Sequence, residues 1–383
     1  MTTQKILNRD FLLTFFAQFA LSSTSNLLVP TLPIYLLKSG STEVEIGVLI
    51  GIIGISSMVL RPFVGRALLK TSERNFMLVG ALLLVICSIA YLFAPPFWPL
   101  LIVRLLQGIG IALFYTASVT LIANISPAAY RGRSISYFYL AFQISLVLAP
   151  SFGMFLINHF SFSLLFMVCT GLSSCSLFIS FKLGERPVDP LGVSSMQDQP
   201  FLSRESLPPV IMTFMASIVC GTITAFLPLY ALNHRVANPG FFFSAFAIIT
   251  ILGRTLGARI LDLHSRERVI LPCLAIYIIA MSILPFSKTL PMFILVAVIW
   301  GMGHTFLYPT LAAYTLDLAG SSRGPAMGIF TAADDLGMGL GPVIMGIVLH
   351  FTSYPIMFLC LALTGSVNLS YFYFFVRKKE RLS

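Results

Sequence analysis

The chain has 383 residues, of which 57% are hydrophobic, 13% aromatic and only 10% charged, with a formal net charge of +10 and a mean hydropathy of +0.92. A soluble domain carries about 25% charged residues, so a soluble enzyme, a nucleic-acid-binding module and a disordered protein are all poor fits. The composition is that of an integral membrane protein, whose positive charge collects in short segments between apolar runs and forms no basic face for nucleic acid.

A bilayer-spanning helix needs about 20 apolar residues. Twelve stretches qualify, at 11–37, 45–69, 75–94, 97–124, 134–158, 162–183, 208–232, 240–262, 268–287, 291–317, 324–350 and 353–376. The first follows Lys5 and Arg9, is too long for a signal-peptide core and shows no small-residue cleavage site, so it is expected to remain as a span. Six spans fall in residues 1–183 and six in 208–383. Between them, 184–207 is rich in Pro, Ser, Asp and Glu and suits a flexible linker. Of the 24 Lys and Arg, only Lys38, Arg235 and Lys288 fall in outer segments when both termini are cytoplasmic; Arg104 lies within a span and the other 20 sit at inner ends. That bias predicts a multi-pass protein of the cell membrane with both termini inside.

Polar groups inside the spans are expensive and are functional candidates by default. Gln18 and Asn26 in the first span and Gln143 in the fifth are neutral groups that either line a cavity or join helices. Arg104, with Gln107 and Tyr115 further along the fourth span, is the basic group at depth, and its bland alternative is an arginine held by neighbouring carbonyls. His304 and Tyr308 lie in the tenth span. Asp334 and Asp335 lie about eleven residues into the eleventh, near the midplane at 1.5 Å per residue. Adjacent helix residues point about 100° apart, so the two carboxylates do not face one cavity equally. In low dielectric they do not both ionise readily. Asp335, beside Gly337, Gly339 and Gly341, is favoured as the coupling group, with Arg104 of the other half as its partner and Gly337, Gly341 and Pro342 allowing its helix to bend. The six cysteines sit in apolar runs with no CxxC pair, so neither a metal site nor a cofactor is expected.

The halves repeat at an offset of 193 residues. Arg61 maps to Arg254, Gly108 and Gly110 to Gly301 and Gly303, Tyr115 to Tyr308, and Gly153 to Gly346. Six spans per half is an even number, so the repeats enter the membrane in the same sense. The fold class is therefore all-α integral membrane, with two parallel six-helix repeats related about the membrane normal.

On these residues the chain resembles the major facilitator superfamily over essentially its whole length. Arg104-Leu105-Leu106-Gln107-Gly108-Ile109-Gly110 is similar to that family's R-x-x-Q-G-x-G motif, and the resemblance implies a proton-transfer or charge-coupling role for Arg104. Ala149-Pro150-Ser151-Phe152-Gly153 and Gly337 to Pro342 resemble degenerate forms of the antiporter G-P-x-x-G motif, which implies gating at Pro150, Pro342, Gly337 and Gly341. The family's loop motif survives partly, with Arg66 kept but Leu69 in place of its aspartate, whereas the second half keeps Asp262. The family's aspartate is taken to latch the cytoplasmic side.

No nucleotide-binding loop, zinc-protease helix or nucleophile elbow is present, so the chain is not expected to be an enzyme. The expected function is a monomeric secondary transporter exporting a small organic molecule in exchange for protons by alternating access. The alternatives are a proton-coupled importer of a sugar, peptide or carboxylate and, more distantly, a non-transporting receptor or assembly factor.

Overall fold

The computed structural model describes residues 8–68, 70–127, 130–184, 206–257, 265–319 and 323–376. Among these residues, twelve α-helices follow one another with no strand: α1 (Arg9–Lys38), α2 (Glu43–Ala67), α3 (Glu73–Ala90), α4 (Trp98–Ile125), α5 (Arg131–His159), α6 (Phe162–Phe181), α7 (Leu207–Asn233), α8 (Gly240–Leu256), α9 (Arg266–Ile283), α10 (Leu290–Leu318), α11 (Arg323–Phe351) and α12 (Tyr354–Tyr371). Eleven are long and apolar enough to cross a membrane, and α8 is a shorter apolar helix.

The predicted spans all appear in order. The third stops at Ala90 rather than residue 94, ahead of Pro95 and Pro96, which cannot continue a helix. The ninth passes into a 3₁₀ turn at Leu284–Phe286, and the twelfth ends in a π-helical turn at Phe372–Val376. Leu69, Asp262 and residues 185–205 of the linker lie outside the described residues. Pro150 and Pro342 both sit inside uninterrupted helices. Large apolar side chains such as Phe63, Ile102, Leu256 and Leu363 are exposed, as expected of surfaces solvated by lipid rather than water. Of the three consecutive phenylalanines at the start of α8, Phe241 is exposed while Phe242 and Phe243 are buried.

The helices form two compact units. The first takes α1 to Tyr35, α2 from Ile55, and α3 to α6. Its core gathers Leu21, Val64, Met77, Leu84, Phe114 and Leu121. Hydroxyls join α1, α3 and α6: Thr24 Oγ1 is 3.2 Å from Ser173 Oγ, Ser88 Oγ is 3.3 Å from the same atom, and Ser176 donates to the Ala17 carbonyl at 2.9 Å. At the end of α6, Arg74 donates to the Phe181 carbonyl at 2.9 Å and Arg9 to the Lys182 carbonyl at 3.3 Å. Both cations satisfy carbonyls that the helix terminus leaves open.

The second unit takes the end of α1 from Leu36, α2 to Gly54, and α7 to α12. Here α7 lies along α11 at backbone contact: an added Cβ at Gly341 meets the Ile218 backbone, and one at Gly221 meets that of Met338. Gly47, Gly51 and Gly54 of α2 rest in the same way on the carbonyls of Pro342, Gly339 and Asp335 of α11. Without side chains in the way, helix backbones approach closely.

The sequence repeat reappears as repeated contacts, each inside its own unit. A Cβ at Gly110 would lie 3.1 Å from the Gly80 carbonyl, and one at Gly303 3.0 Å from the Cys273 carbonyl, 193 positions on in both partners. Asn124 Nδ2 donates to Glu73 Oε1 at 2.6 Å, and at the corresponding positions Arg266 Nε donates to Asp317 Oδ2 at 3.0 Å. The same helix ends are tied twice, with the polarity of the pair reversed.

Candidate functional site

Two helix faces build the polar centre of the second unit. On α7, Ser217 and Cys220 are three residues apart; on α10, His304 and Tyr308 are four apart, and both spacings put the pair on one face. The result is two rungs. On the first, Ser217 Oγ donates to Asp334 Oδ1 of α11 at 2.5 Å, and the Tyr308 hydroxyl donates to Oδ2 of the same carboxylate at 3.2 Å. On the second, the hydroxyl of Tyr277, from α9, lies 2.7 Å from His304 Nδ1 and 3.7 Å from Cys220 Sγ, and Sγ is 4.0 Å from Nδ1. A narrow cleft with room for about one water-sized body is lined by Ser217, Cys220, Tyr277, His304 and Tyr308, with Thr213 and the apolar Ala216, Leu307 and Leu311 completing its walls. Behind it, Trp300 stacks on Phe246 with centroids 4.3 Å apart and presents its edge to Tyr277 at 6.1 Å.

Asp334 therefore sits among hydroxyls from two other helices. Its neighbour Asp335 is half-buried, and its backbone carbonyl is the surface on which Gly54 packs, 2.5 Å from where a Cβ there would stand. Gly337, one turn beyond Asp334, is part of the same construction: a Cβ there would lie 2.7 Å from that of Ser217. The missing side chain lets α7 come close enough for the serine to reach the carboxylate. Ser217, Cys220 and Tyr277 are absent from the sequence-based candidates. Their signal in the sequence is faint, a serine and a cysteine three residues apart on a helix that is apolar all round.

In the first unit, Arg104 is buried and its Nη1 donates to Gln107 Oε1 at 3.1 Å, while the Tyr91 hydroxyl donates to the same oxygen at 2.5 Å. The glutamine thus serves as shared acceptor between α4 and the end of α3. Tyr115 lies under the Arg61 guanidinium, 5.6 Å from its ring centroid, and 6.3 Å from the Tyr139 ring. Gln18 donates to Ser22 at 2.8 Å and accepts from Ser118 of α4 at 3.4 Å, and Asn26 donates to Ser145 of α5 at 2.9 Å. Both are hydrogen-bonded between helices. Gln143 is buried on α5, and Arg66 is exposed in the last turn of α2.

A family model described as the Major Facilitator Superfamily matches residues 14–236 and 209–383. Among curated proteins, the chain is similar to the staphylopine export protein of Staphylococcus aureus, 24% identical over 339 residues that cover 84% of each chain. It is also similar to the quinolone resistance protein NorA of the same species, 22% identical over 381 residues, covering 94% of this chain and 96% of that one. Among solved structures, the nucleoside transporter NupG superposes with a TM-score of 0.78 at 14% identity over 96% of this chain and 98% of its own. A POT family transporter in complex with a thioalcohol-conjugated peptide does so with a TM-score of 0.81 at 13% identity, over 97% and 96%.

Proposed function

This chain belongs to the Major Facilitator Superfamily, and from that premise we propose that it is a secondary active exporter of a small organic molecule whose proton coupling runs through Asp334. Export rests on one relative named for it, the staphylopine export protein, and fits the resistance in the name of a second, the quinolone resistance protein NorA. The coupling assignment rests on one observation, a carboxylate within a membrane helix that accepts hydroxyl hydrogen bonds from α7 and α10 at once.

An aspartate near the centre of a membrane helix costs about 2.5–3.5 kcal/mol on insertion scales, so its charge needs a reason. Ionised, Asp334 is acceptor-only and suits two donors. Protonated, one of its oxygens becomes a donor, and the Ser217 or Tyr308 hydroxyl facing that oxygen can accept from it instead of donating. Gain or loss of one proton thereby rewrites the bonds among α7, α10 and α11. That is the property an antiporter needs, a group whose charge state and helix arrangement change together. The hydroxyl pair moves the favoured carboxylate from Asp335, preferred on sequence, to Asp334.

Arg104, in the first unit, is the basic counterpart in this reading, and the Gly337 and Gly341 crossing supplies the close helix contact that the cycle must preserve or release. Both termini are taken as cytoplasmic from the bias of Lys and Arg, and the working unit as a monomer. Accumulation of labelled compounds in inside-out vesicles under an imposed pH gradient tests export. Uptake driven by an inward acid interior supports it, and accumulation only under the reversed gradient identifies an importer instead.

A further inference from the structure

We propose that the cleft beside Cys220 and His304 is a binding site for a soft monovalent metal ion, Cu(I) or its analogue Ag(I). The donors come from two helices, a thiol on α7 and an imidazole on α10, with Sγ and Nδ1 4.0 Å apart. Metal–sulfur and metal–nitrogen bonds to a first-row ion run about 2.3 Å and 2.0 Å, so an ion between these atoms makes a near-linear two-coordinate bridge after a shift of a few tenths of an ångström. The cleft they face has room for about one water-sized body, which suits a single ion and not an organic molecule.

Two arguments select the ion. Among the described residues no group of three or more His, Cys, Asp or Glu is placed to hold a metal, so the tetrahedral set that zinc prefers is missing, whereas a two-ligand site with thiolate sulfur suits Cu(I). Charge points the same way. Binding replaces the thiol proton, Cys–SH plus M⁺ giving Cys–S–M plus H⁺, and the proton leaves through the cleft to water. No electron moves, and exchanging one proton for one monovalent ion leaves the net charge of the buried site unchanged, which a divalent ion does not.

Tyr277 completes the arrangement. Its hydroxyl reaches both donors, 2.7 Å from Nδ1 and 3.7 Å from Sγ. When the metal takes the imidazole lone pair, the hydroxyl turns to the metal-bound sulfur, the kind of outer-sphere bond that steadies a metal ligand. The bridge pins α7 to α10, so occupancy is expected to arrest transport. This inference is independent of the assignment of Asp334.

The test adds one equivalent of Ag(I) to the purified full chain in chloride-free buffer and reads silver-edge X-ray absorption. The expected spectrum has one sulfur and one nitrogen neighbour. In His304→Gln the nitrogen neighbour is lost and silver affinity falls roughly 10-fold or more, and in Cys220→Ala the ion moves to other thiols. Sulfur-only coordination in the wild type overturns the proposal without any variant. So does a nitrogen neighbour that persists in His304→Gln.

Discussion

Replacing Gly337 by alanine should separate α7 from α11 and loosen the Ser217–Asp334 bond. The new Cβ would lie 2.7 Å from the Ser217 Cβ and 2.5 Å from the Phe214 carbonyl, whereas ordinary contact begins at 3.4 Å, so α7 must retreat by about 0.7–0.9 Å. If that movement lies along the hydrogen bond, its 2.5 Å length stretches to about 3.2–3.4 Å, beyond the usual O–H···O range. Forcing a methyl into a packed contact costs about 1–3 kcal/mol, against a gain of about 1 kcal/mol from the better helix former. Gly328, on the same helix, supplies the control, because a Cβ there meets nothing within 4 Å. Thermal unfolding of both alanine variants in one detergent, with pH-driven transport in proteoliposomes, measures the difference. Gly337→Ala should be less stable than Gly328→Ala by about 1–3 kcal/mol and should transport poorly, while Gly328→Ala matches or exceeds the parent in stability. Equal stability and equal transport of the two would refute the argument that backbone contact positions the serine.

Gln107→Leu should destabilise the first unit by about 1.5–3 kcal/mol, since it removes an acceptor of the buried Arg104 cation; Gln107→Glu should be better tolerated, as thermal midpoints of the two variants will show. Asp317→Ala should cost under about 1 kcal/mol by the same assay, because the Arg266–Asp317 pair is partly exposed and screened. Membrane-impermeant thiol labelling of introduced cysteines should reach positions beside Lys38, Arg235 and Lys288 from outside intact cells and fail within 184–207, and the reverse pattern would invert the proposed orientation.

The spans and their order were legible because length and continuous apolarity, the two quantities a bilayer demands, are written directly in the chain. The repeat was legible too, and it recurs in contacts that no single residue announces: Gly110 and Gly303 on their carbonyls, Asn124 and Asp317 on their partners. The facing of each helix was not legible. On a helix apolar all round, periodicity does not say which side meets a neighbour, so Ser217, Cys220 and Tyr277 gave no warning that they would meet Asp334 and His304. For the same reason the sequence favours Asp335 over Asp334 by its proximity to glycines, of which Gly337 and Gly341 face the α7 backbone and Gly339 faces Gly51 and Gly54 of α2. Gln18 and Asn26, left open between cavity lining and helix bonding, have hydrogen-bond partners on neighbouring helices.

The central claim is that Asp334 carries the coupling proton, and the most direct measurement compares Asp334→Asn with Asp335→Asn in proteoliposomes. Each variant is assayed for uphill export driven by a pH gradient and for downhill exchange without one. Asp334→Asn should abolish the uphill flux, keep downhill exchange at least in part, and leave substrate binding independent of pH, while Asp335→Asn stays closer to the parent in all three. Uphill, pH-driven export surviving in Asp334→Asn, or lost only in Asp335→Asn, would contradict the assignment.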